Sequence, residues 1–101
     1  MKFVTGSVVT IKLNSGEELI TKIAGEKDMD GFIKITEPVS IAPSPKGMGL
    51  VPSMFTADIK AEVRLNTNSI SMYALTEDSV KMKYIEATTG ITIPEKKLIL
   101  G

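Results

Sequence analysis

Apolar and polar positions alternate from the first strand-like stretch of the chain onward. Val9, Ile11 and Leu13 alternate with Thr10, Lys12 and Asn14, the period of a strand that turns one face to a core. Asn14-Ser15-Gly16 then reverses the chain, because Asn and Gly enter positive φ cheaply and Ser bonds its own backbone. A second strand follows, with Leu19, Thr21 and Ile23 set against Ile20 and Lys22. After a polar, glycine-bounded break over residues 26–31, Phe32, Ile33, Ile35 and Val39 mark a third. The pattern predicts a three-stranded antiparallel meander. Pro38 has no amide to donate, so the third strand must bend or lose a partner there.

Beyond the meander the spacing changes. Residues 42–49, Ala-Pro-Ser-Pro-Lys-Gly-Met-Gly, offer two prolines, two glycines and a serine and predict an irregular connecting loop. Met48, Leu50, Val51, Met54 and Phe55 return the chain to the body as a short strand. Residues 59–65 show the cleanest two-residue period, with Ile59, Ala61, Val63 and Leu65 against Lys60, Glu62 and Arg64. The quartet Asn66-Thr67-Asn68-Ser69 then predicts a turn, and Ile70, Met72 and Ala74 a returning strand, the two forming a hairpin. Residues 77–89 fit a helix, with Thr76 as N-cap, acids in the first turn, and Val80, Tyr84 and Ala87 on one stripe. The alternation of Val80, Met82 and Tyr84 with Lys81 and Lys83 is the strand alternative. An apolar tail, 91–101, and the lead-in residues Phe3 and Val4 are expected to dock on the domain or on a neighbouring subunit.

Composition narrows the chemistry. A chain of 101 residues with 43% apolar positions makes one domain, here with an aliphatic core in which Met29, Met48, Met54, Met72 and Met82 fill the core or an interface. The 12 basic and 12 acidic residues balance, so no global field draws a polyanion. Cysteine and histidine are absent, which removes disulfides, thiolate metal sites, the commonest general base and the usual transition-metal ligands. The expectation is no enzyme, no cofactor and no resident metal. Asp28 and Asp30 on a turn are too few oxygen ligands for Ca²⁺. No apolar run reaches the roughly 20 residues of a membrane helix and the first residues lack a signal peptide's apolar region, so a cytoplasmic location is expected.

A first strand, a glycine turn, a long second strand, an acidic break and a third strand resemble the first signature of Sm-like proteins. Leu13 and Gly16 stand at its spacing and Ile23 at its apolar position; Asp28 falls one residue late for its aspartate, and Asp30 or Gly31 occupies the place of its asparagine. Residues 10–41, with Ile35-Thr36-Glu37-Pro38-Val39-Ser40-Ile41, are similar to the small Sm-like proteins of tailed phages, as are Gly49-Leu50-Val51-Pro52 and the run from Tyr84 to Gly90-Ile91. The resemblance implies a mainly β fold: a strongly bent five-stranded antiparallel sheet closing into a small Sm-like (SH3-like) barrel, with a C-terminal helix. It also implies a homo-oligomeric ring, in host cytoplasm if the chain is phage-encoded, in which residues 59–65 and 70–74 are the edges that pair between copies. A monomeric barrel capped by the helix is the alternative assembly.

Two functions follow from that resemblance. In Sm-like rings, RNA is held by the loop between strands two and three and by a cationic element between strands four and five, which fall here on residues 26–31 and 66–69. The contact residues this implies are Lys27, Lys60, Arg64, Asn66 and Asn68. Against it, the first loop carries Glu26, Asp28 and Asp30 beside one lysine, a charge excess that repels phosphate. Its tip offers no aromatic residue to stack a base. The plain reading of Arg64 is a solvated partner of Glu62 or another acid. The second function is a structural or adaptor protein that makes protein contacts alone.

Overall fold

The computed structural model describes residues 3–89, so the expected tail, 91–101, lies outside the described residues. Six antiparallel strands form one sheet: β1 (Val8–Leu13), β2 (Glu18–Gly25), β3 (Phe32–Ser44), β4 (Gly47–Pro52), β5 (Val63–Asn66) and β6 (Ile70–Leu75), followed by one helix, α1 (Asp78–Thr89). The strand order is β4-β3-β2-β1-β6, and β5 pairs with β3. The fold is mainly β, with six strands where five were expected. No described helix is long and apolar enough to cross a membrane.

The meander forms because its apolar positions sort onto two faces. Val9, Ile11, Leu19, Ile23, Ile33 and Ile35 build one buried cluster with Phe3, and Leu13, Val63, Leu65 and Ile70 pack against it. Burial of each such aliphatic side chain contributes about 1.5–3 kcal/mol. On the other face Val8, Ile20, Val39 and Tyr84 form a second cluster, joined by Ile41, Leu50 and Val80. Phe3 docks as expected, its ring centroid 4.8 Å from that of Tyr73, whereas Val4 is exposed.

The expected bend at Pro38 is a β-bulge. Ile20 pairs with Val39 and Lys22 with Thr36, so Thr21 alone stands opposite both Glu37 and Pro38. Glu37 carries the extra residue at φ 53°. A one-residue slip exchanges faces, which is why Ile35 belongs to the first cluster and Val39 to the second although both are odd-numbered.

Residues 42–49 are not an irregular loop. β3 continues through Ser44 and turns at Pro45-Lys46 into β4, with Ala42 opposite Gly49 and Pro43 opposite Met48. Proline is tolerated because β2 reaches only to Ser40, leaving β3 with one neighbour beyond that point. Pro45 presets the turn, and Gly47 takes φ 118°, a left-handed position that favours glycine.

The expected hairpin of residues 59–65 with 70–74 does not form. Residues 59–62 are a turn, held by Ala61 N–H donating to the Asp58 carbonyl at 3.1 Å. The strand β5 pairs with β3, Val63 opposite Ile35 and Asn66 opposite Phe32, while β6 pairs with β1. Between them lies a three-residue 3₁₀ turn, Thr67–Ser69, that swings the chain from one side of the meander to the other. Asn14 fixes its exit, donating its amide to Ser69 O at 2.8 Å.

The helix spans the expected region. Tyr84 is buried and Val80 and Ala87 are half-buried, so the stripe lies on the sheet. Thr76 is not its cap: the Thr76 hydroxyl meets that of Thr10 at 3.0 Å, and the helix opens at Glu77, whose carbonyl accepts from Lys81 N–H at 2.8 Å. The methionine expectation fails for the core: Met29, Met48, Met54, Met72 and Met82 are all exposed.

Candidate functional site

Residues 26–31 fold around the Asp28 carboxylate. Its Oδ1 accepts the amides of Asp30 at 2.9 Å and Phe32 at 3.0 Å, the side-chain turn that Asp makes readily. The Asp28 amide donates to Phe32 O at 2.8 Å, and Gly31 closes the loop at φ 87°. From β5, Arg64 donates to Asp28 Oδ2 at 2.5 Å and approaches Asp30 Oδ2 to 3.9 Å. Its guanidinium carbon lies 4.8 Å from the Phe32 ring centroid, a cation–π distance. The Phe32 amide first, and the Arg64 hydrogen bond second, hold the Asp28 carboxyl below its ordinary value of 3.8 against a smaller opposing effect of burial. Arg64 is therefore the partner of an acid, and that acid is Asp28; Glu62 sits 3.9 Å from Lys34 instead.

The other expected contacts divide into two places. Asn66 Oδ1 accepts the Asn68 amide at 2.9 Å, capping the 3₁₀ turn. Thr67 ties that turn to the acidic loop, its amide and hydroxyl donating to Gly31 O at 2.9 and 2.7 Å. Lys27 and Asn68, on two connected loops, thus stand near Arg64 and Asn66 of β5. Lys60 stands elsewhere, its carbonyl accepting from the Thr36 hydroxyl at 3.1 Å. Thr36 is four positions along β3 from Phe32, roughly 13 Å at strand rise. Lys27, Lys60 and Asn68 are exposed. Asp28 and Asp30 face Arg64, and among the described residues no group of three or more His, Cys, Asp or Glu could hold a metal ion.

Sequence reasoning missed where the exposed apolar residues gather. The strand β6 pairs with β1 on one side and with no described strand on the other, and residues 71–75 are exposed throughout. Leu75 is 77% and Met72 64% exposed. On the opposite border of the sheet, Met48 lies on β4, and Met54 and Phe55 lie between β4 and β5, Phe55 at 72%. The available signal was Met72-Tyr73-Ala74-Leu75, four consecutive residues without the polar alternation of a strand that shows one face to water. Compared with known protein-family models and with curated proteins, the chain matches none.

Proposed function

We propose that this chain is a non-enzymatic structural or adaptor protein of Sm-like type, a small barrel whose copies join through the sheet's open borders into a ring. The observation that carries the reading is β6. One of its edges is used by β1, its other edge has no described strand, and both its faces display exposed side chains over residues 71–75. An unpaired apolar edge in water is a template for another chain. Since β6 is unlike the border formed by β4 and β5, their contact is head-to-tail, and such contacts close into rings when the rotation permits.

Support for a barrel comes from the core. Val63 and Leu65 of β5 and Ile70 of β6 pack on the same buried cluster, so the two sides of the meander bend round one centre. Support for a non-enzymatic role comes from a chain without histidine or cysteine. The place of action that goes with this reading is the cytoplasm, the location the Sm-like resemblance implies.

Single-stranded nucleic acid is the second reading, and its footing is the exposure of Lys27, Lys60 and Asn68. Arg64 and Asn66 are engaged within the fold. Native mass spectrometry separates the two. A closed oligomer free of nucleic acid is the expected result. An oligomer that carries nucleic acid, lost on Lys27→Ala or Lys60→Ala, moves the assignment to the second reading, and a monomer at every concentration contradicts the proposal.

A further inference from the structure

The β4–β5 border contains an excursion that the ladder does not need. β4 leaves β3 with Ser53 N–H donating to Pro38 O at 3.0 Å, and the chain returns with Glu37 N–H donating to Ile59 O at 2.6 Å. Adjacent residues of β3 thus pinch both ends, and residues 54–58 stand out from the border, all exposed. At their head are Met54 and Phe55. Phenylalanine is costly to leave in water, and the excursion places it beside an unpaired edge.

We propose that this excursion is a clasp which, in the copy-to-copy assembly inferred above and resting on that reading, closes over β6 of a second copy of this chain. Three observations identify the occupant. The strands β4 and β6 are six residues each, so they match end to end. Running antiparallel, they bring Lys46, which precedes β4, beside Glu77 and Asp78, which follow β6, pairing opposite charges. The same register sets Met48 against Ala74 and Leu50 against Met72 of the second copy, and places the Phe55 excursion, which follows β4, beside the start of its β6. Of the ten exposed large apolar residues among those described, six (Met48, Met54, Phe55, Met72, Tyr73 and Leu75) lie on these two borders.

The test uses the whole chain and its lack of cysteine. Light scattering over a dilution series measures the concentration at which the oligomer falls apart. Phe55→Ser raises that concentration by roughly tenfold or more, as loss of an aromatic anchor does, whereas Met82→Ser, exposed on α1 rather than on either border, leaves it within roughly twofold. Mild oxidation of a mixture of Phe55→Cys and Ser71→Cys copies yields a mixed disulfide dimer faster than a mixture of Met82→Cys and Ser71→Cys copies. An oligomer unmoved by Phe55→Ser, with no preferential cross-link, overturns the clasp while leaving the ring. A wild-type monomer throughout the series overturns both.

Discussion

Glu37 is a single residue that decides which side of the sheet its successors face. Its φ of 53° lies where side chains with a Cβ are strained and β-branched ones most of all. Glu37→Val should therefore destabilise the protein by about 1–2 kcal/mol and Glu37→Gly should not, as read from urea midpoints at unchanged slope. Pro38 made this bend legible in the sequence; which residue takes the left-handed conformation was not, because Thr21 and β2 decide it through register.

Asp28 is the other residue with a disproportionate role. Its carboxyl is held below the ordinary 3.8 in the folded protein, so the folded state prefers the charged form more strongly than the unfolded chain does. Its contribution to stability is complete above the unfolded value and fades as pH falls through the folded one. Asp28→Asn should be less stable than wild type at pH 7, with the gap narrowing below about pH 4. A gap that stays constant down to pH 2 contradicts the assignment. Arg64 was readable as an acid's partner, but the identity of that acid depends on the fold of a loop 36 residues away in sequence.

At the scale of elements, α1 is fastened to the bulge by one side chain. The Tyr84 hydroxyl donates to Glu37 O at 2.9 Å and to Thr36 O at 3.2 Å. Burial first, and the Glu37 charge second, push its phenol above the ordinary 10.0. The neutral form is the one the fold holds, so this contribution is intact below pH 10 and is lost as pH rises through the folded value. Tyr84→Phe should cost about 0.5–1.5 kcal/mol at pH 7, and stability measured above pH 10 should fall less steeply in the variant than in wild type. The helix was legible because Val80, Tyr84 and Ala87 keep its period. The β3–β4 hairpin was hidden because Pro43, Pro45 and Gly47 carry a loop's composition, and only the shortness of β2 opens a place for proline in a strand. The 3₁₀ turn was hidden too: Asn66-Thr67-Asn68-Ser69 suits a hairpin, and it takes Gly31 and Asn14, from elsewhere in the chain, to send it across the core.

At the scale of the whole molecule, the meander pairs its own strands and leaves unlike borders on either side. Of the border strands read at residues 59–65 and 70–74, the second stands as β6 while only the end of the first, from Val63, stands in β5, residues 59–62 being a turn; the two pair with β1 and β3 rather than with each other. The exposure of the methionines was not readable, since an aliphatic core and an apolar border call for the same residue types. The most direct test of joined borders is amide hydrogen exchange of residues 71–75 as a function of protein concentration. Edge amides bonded to a second copy exchange slowly in concentrated protein and quickly on dilution, while those of β2, paired on both sides within one molecule, stay slow at both. Exchange at residues 71–75 that is fast at every concentration would contradict the account.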